Sequence, residues 1–115
     1  MIEKTQEGKV QNLMNKHFVI FTDEARFDLI EISEGYGNKT PGLDIKFRKA
    51  VKNSIDKILS NPSSFASVNK RSKYRRCLTD TFPYKIYYRV SEKEITVVAI
   101  IQTSRSNSLI KRRLK

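Results

Sequence analysis

The chain has 115 residues, enough for one domain and too few for two with a linker. It is 38% hydrophobic and 30% charged, so it can build a modest core, and no apolar run approaches the eighteen or so residues of a membrane span. One cysteine (Cys77) and one histidine (His17) exclude an intrachain disulfide, a cysteine-rich metal site and a two-histidine zinc site, so no metal or cofactor is expected. The amino-terminal MIEKTQEGKV is polar and lacks the apolar core of a secretory signal, which makes a cytoplasmic compartment the default expectation.

Charge is unevenly spread. The formal net charge is +11. Residues 1–60 hold ten basic and nine acidic side chains, whereas residues 61–115 hold thirteen basic and three acidic. A net +10 half creates a field that attracts nucleic acid, the ribosome or an acidic protein.

In chain order, residues 1–16 are weakly patterned and read as an extension: Val10, Leu13 and Met14 fit one amphipathic turn, or the segment is an arm. The domain proper is expected over 17–115. His17–Thr22 is aromatic and β-branched, a strand pattern. Thr22 can cap a helix whose first turn holds Asp23 and Glu24, where the helix dipole favours acids. Ala25, Leu29, Ile32 and Tyr36 form its apolar stripe, and Gly35, Gly37, Asn38 and Lys39 bring it to an end. Thr40-Pro41 predicts a second start, with proline at the first helical position. Leu43, Phe47, Val51, Ile55, Ile58 and Leu59 make the second stripe, and Asn61-Pro62 stops it. Two stripes joined by a short loop form a helical hairpin that must be buried against a sheet.

The second half supplies that sheet. Tyr74–Thr79 reads as a short strand and Thr79–Pro83 as a break. Tyr84–Val90 alternates, with Ile86, Tyr88 and Val90 on one face and Lys85, Tyr87 and Arg89 on the other. Ile95–Ile101 is apolar on both faces, the pattern of a central strand. Residues 102–115 read as a polar, basic tail. The expected fold is α+β, in the order β-α-α-β-β-β, with the helical hairpin on a small antiparallel sheet.

Three groups of residues bear on function. Lys70, Arg71, Lys73, Arg75 and Arg76 put five cations in seven positions. On a strand Arg75 and Arg76 face opposite ways, so one of them faces a ligand directly. Arg105 and the terminal Lys111, Arg112, Arg113 and Lys115 form a second group. If the last strand is central, Arg105 comes near the strand of Arg75 and Arg76, and the arginines hold either a phosphate or a partner's acidic side chain. Third, Phe82–Arg89 interleaves aromatic and basic residues. Phe82, Tyr84, Ile86 and Tyr88 are expected in the core, and Tyr87, on the other face with Arg89, is the ligand candidate. Cys77 reads as a small core or edge residue. No acid/base pair of carboxylates stands out.

The ordered series Ala25–Ile32, Pro41-Gly42-Leu43, Phe47, Ile58–Pro62, Phe65, Arg75-Arg76, Phe82–Tyr88 and Val97–Ile101 followed by Arg105 resembles the ParE/RelE superfamily of toxins from bacterial type II toxin–antitoxin systems. The FPYKIYY segment and the Pro-Gly-Leu between the helices look more like the ParE branch. The resemblance implies a growth-inhibiting toxin held in a hetero-oligomer by a cognate acidic antitoxin. ParE-like members poison DNA gyrase, whereas RelE-like members cleave mRNA on the ribosome. Antitoxin or target contacts are expected at Lys70, Arg71, Arg75, Arg76, Tyr87, Arg89, Arg105, Lys111, Arg112 and Arg113. In the nuclease alternative the catalytic set is Arg76, Arg105 and Lys73. RNA cleavage also needs a base and an acid. Gln102 stands where relatives often carry histidine, which weighs against a nuclease, and Ser108 stands where they often carry proline.

Overall fold

The computed structural model describes residues 17–105 and 107–114, so the expectation for residues 1–16 lies outside the described part. The chain runs β1 (Phe18–Phe21), α1 (Asp23–Lys39), α2 (Leu43–Ser60), β2 (Tyr74–Leu78), β3 (Tyr84–Val90), β4 (Glu94–Gln102) and α3 (Asn107–Arg113). The fold is α+β, with one four-stranded sheet in the order β1-β4-β3-β2.

Local chemistry sets the boundaries. The Thr22 hydroxyl accepts the Ala25 amide at 3.1 Å and caps α1. Helix α1 continues through both interior glycines to Lys39. A Cβ at Gly37 would lie 3.1 Å from the Asp44 side chain at the start of α2, a tight contact to which Asp44 would have to yield. The second start falls later than Thr40-Pro41 suggests. Gly42 is the N-cap, with φ of 89° and no side-chain cap, and α2 begins at Leu43. The tight turn needs a left-handed residue at its last position, which glycine supplies without steric penalty. Pro41 therefore sits in the turn, outside the helix.

The sheet is mixed. Strands β2, β3 and β4 form the expected antiparallel meander, but β1 pairs with β4 in parallel, Phe18 opposite Glu94 and Phe21 opposite Val97. The crossover through the helical hairpin returns the chain in the same direction, which an all-antiparallel sheet would not accommodate. Strand β4 is central and buried from Ile95 to Ile101. A bulge shifts the register between Tyr87 and Tyr88, so Tyr87 opposes Ala99 and Tyr88 opposes Val97.

Both sheet faces are covered. Under the helical hairpin, Ala25, Phe47, Val51 and Ile58 meet Cys77, Ile86, Tyr88, Ile95, Val97 and Ile100. Tyr36, Phe47, Phe82 and Tyr84 close one end of this core with ring centroids 5.0 to 6.3 Å apart, mostly edge to face. The Tyr88 hydroxyl donates to the Pro62 carbonyl at 2.7 Å and anchors the loop after α2. On the opposite face the expected tail is a helix. Leu109 and Ile110 of α3, with Leu114 just beyond it, pack on Tyr74, Tyr87, Val98, Ala99 and Ile101. The spacing of Leu109, Ile110 and Leu114 gives α3 one apolar side, which buries part of an otherwise bare apolar strand. No helix among the described residues is long and apolar enough to cross a membrane.

Candidate functional site

The 62–73 loop is held in shape by its own polar groups and by two arginines. Asn69 Oδ1 accepts the Arg71 amide at 2.9 Å, and Ser72 Oγ accepts the Tyr74 amide at 2.9 Å. Val68 donates its amide to Tyr74 O, and Arg76 donates its amide to Ala66 O, so the loop covers the free edge of β2. Arg75 donates to Phe65 O at 2.6 Å, and Arg76 donates through its side chain to Ser67 O at 3.2 Å. Both arginines thus stitch the loop to the strand. Lys70, Arg71 and Lys73 remain exposed on its outer surface.

Helix α3 brings the second basic run to this loop. A cavity of about 460 Å³ lies between them, its walls including Arg71, Lys73, Tyr74 and Lys111 over the apolar Val68 and Ile110. Lys73 Nζ stands 5.8 Å from the centre of the Tyr74 ring. Among the described residues, no carboxylate pairs with Arg71, Lys73 or Lys111. Two runs nearly forty positions apart in the chain therefore build one cationic, apolar-floored groove. Arg112 is exposed on the same helix. Arg89 is half-buried opposite Tyr74 in the strand register.

Tyr87 does not serve as an open ligand residue. It is only 2% exposed, packed beneath α3, because the tail that was expected to leave its face bare folds over it. Burial raises the pKa of its hydroxyl, with the Arg76 charge partly opposing. Arg113 is likewise committed. Its Nη2 lies 2.9 Å from Asp28 Oδ2, and its Nε 3.6 Å from Glu24. Asp28 in turn accepts the Ile100 amide at 3.0 Å, and Arg113 also donates to Val98 O at 3.4 Å. Strand β1 ends opposite Val97, so on that side β4 has no strand neighbour beyond that point, and these two side chains cap its open edge. Asp28 escaped the sequence reading. Its signal was an acid three residues after Ala25 and four before Ile32, beside the buried stripe of α1.

Arg76 and Arg105 do not share a site. Strand β3 lies between their strands. Arg76 lines a cavity with Phe65, Cys77 and Lys85. Arg105 turns back over the end of β4, its amide on Gln102 O, and lines a cleft of about 510 Å³ with Tyr36, Lys39, Tyr84 and Gln102. Burial, with help from neighbouring Tyr84, raises the pKa of Tyr36 there. Burial also raises the Cys77 thiol, so it is a poor nucleophile. Among the described residues, no group of three or more His, Cys, Asp or Glu side chains is placed to hold a metal.

The family described as the ParE toxin of the type II toxin–antitoxin system parDE matches residues 19–107. No curated protein matches the chain. Among solved structures, the chromosomal ParDE toxin–antitoxin system of P. aeruginosa is similar with a TM-score of 0.68 at 17% identity, covering 78% of this chain and 99% of that one. The isolated E. coli RelE toxin is similar with a TM-score of 0.57 at 17% identity, covering 84% of this chain and 94% of that one. At such identities the likeness concerns the fold.

Proposed function

Since the chain belongs to the ParE toxin family of type II toxin–antitoxin systems, we propose that it inhibits growth in the cytoplasm by binding DNA gyrase, and that an acidic antitoxin segment neutralises it along the groove between the 69–73 loop and α3. The observation that carries the antitoxin part is the convergence of Arg71, Lys73 and Lys111 over an apolar floor. An amphipathic acidic segment matches both properties: its carboxylates meet the unpaired cations, and its apolar side covers Val68 and Ile110. A disordered acidic chain that folds on docking also gains from the long-range attraction of the +10 half.

The choice of gyrase over mRNA rests on missing chemistry. Cleavage of RNA through its 2′-hydroxyl needs a proton acceptor, a proton donor and cations around one phosphate. Arg76 and Arg105 open onto different cavities, Tyr87 is buried, and Gln102 cannot shuttle protons usefully. Binding without bond cleavage asks none of this.

Purified protein decides between the targets. Inhibition of gyrase supercoiling with intact ribosome-bound mRNA is the expected result, and mRNA cleavage with unaffected gyrase would establish the RelE-like nuclease instead. For neutralisation, the Arg71→Ala, Lys111→Ala pair should weaken capture of the acidic antitoxin encoded beside the toxin by about tenfold, and flatten its salt dependence. Unchanged affinity would move the antitoxin elsewhere.

A further inference from the structure

Helix α1 carries charge of the opposite sign to the rest of the molecule. It holds Asp23, Glu24, Asp28, Glu31 and Glu34 against Arg26 and Lys39, a net of −3 in a +11 chain. Its solvent side also bears two large apolar side chains one turn apart, Phe27 at 62% and Ile30 at 48% exposure. Helical spacing frames them with acids: Asp23 and Glu31 lie four residues either side of Phe27, and Glu34 lies four after Ile30. All three carboxylates are exposed, and among the described residues none of them is in an ion pair. A cavity of about 590 Å³ opens beside Phe27, walled by Asp23, Glu24, Asp28, Glu31 and Arg113.

We propose that this outer face of α1 is a docking surface for a basic, amphipathic segment of a partner protein, distinct from the acidic segment assigned to the groove at α3. Phe27 and Ile30 offer the apolar anchor, and Asp23, Glu31 and Glu34 form the polar rim that selects lysine and arginine. The same carboxylates repel an acidic segment, so the two faces do not compete for one ligand. A second copy of the chain is disfavoured as occupant, since two bodies of charge +11 repel. The inference goes beyond the toxin reading and stands whether or not gyrase is the target.

The test uses the full chain and two fluorescein-labelled 16-residue peptides, read by anisotropy at about 0.1 M salt. One peptide carries leucine at helical spacing with lysine elsewhere; the other replaces every lysine by glutamate. The glutamate peptide belongs in the groove at α3, and the lysine peptide should bind the chain through α1. Phe27→Ser with Ile30→Ser, and separately Asp23→Lys with Glu34→Lys, should each weaken it by about tenfold, while Arg71→Ala with Lys111→Ala leaves it unchanged. No binding of the lysine peptide, or its indifference to the α1 substitutions, overturns the proposal. So does sedimentation showing that the chain dimerises through Phe27 and Ile30. Thermal unfolding checks each variant, and if the serine pair fails to fold, the charge-reversal pair alone decides.

Discussion

Two helices of 17 and 18 residues cover one face of the sheet, and a single helix of seven covers part of the other. Under the long helices the side chains are large, aromatic and mutually packed, and the cations stay outside. Under α3 the apolar cluster is smaller, and its border is the cationic loop. Helix α3 does not cover the outer strands, where Ile20 and Leu78 remain exposed. The contrast is one of packing: the hairpin face carries the larger share of the buried side chains that hold the fold together, and the α3 face the smaller.

Substitutions on the two faces should differ accordingly. Phe47 is fully buried and touches Tyr36, Phe82 and Tyr84. Phe47→Ala should destabilise the protein by about 3–5 kcal/mol in urea titration. A value under about 1 kcal/mol would mean the aromatic end is not the anchor.

Alkaline pH sharpens the comparison. Burial pushes the Tyr88 hydroxyl up to about 12, from the ordinary 10.0. Its folded value exceeds its unfolded value, so stability is intact below pH 10 and declines between pH 10 and about 12, as the unfolded chain releases that proton first. The loss reaches roughly 2–3 kcal/mol by linkage. Tyr88→Phe should flatten this limb, with a loss of about 1 kcal/mol at neutral pH from the bond to Pro62. Unfolding midpoints at pH 8 and pH 11.5 measure both.

On the α3 face, Arg113→Ala should cost about 1–3 kcal/mol, because Asp28 loses its cation and Val98 O a donor. Amide hydrogen exchange should quicken first in α3 and at Ile100, while α2 stays protected. Uniform quickening would show that the two faces unfold as one unit. Glu24 is exposed at 3.6 Å from Arg113, and Glu24→Ala should change stability by only a few tenths of a kcal/mol.

The hairpin face was legible because its signals are periodic. Ala25, Leu29, Ile32 and Tyr36, the stripe from Phe47 to Leu59, and the alternation from Tyr84 to Val90 each declare which side is buried. The α3 face was not, because Leu109, Ile110 and Leu114 sit among eleven polar or basic residues in the stretch 102–115, too few apolar positions to outweigh the charge. That one helix moved Tyr87 from open surface to core and Arg113 from free cation to edge cap. The parallel pairing of β1 was hidden for a different reason. Strand direction depends on how the hairpin returns, which no local pattern records. The basic runs at 70–76 and 111–113 were visible, but their meeting in one groove needed α3, and the separation of Arg76 from Arg105 needed the strand order.

The place of β1 beside β4 bears on how the molecule is made. The first strand of the domain finds its only described sheet neighbour in residues 94–97, close to the end of the chain. On the ribosome β1 and the helical hairpin emerge long before that neighbour exists, and loop closure over such a span is slow. The sheet closes only once residues 94–97 have been made. A chain that stops before β4 therefore lacks the strand that joins β1 to β3, and its sheet stays open.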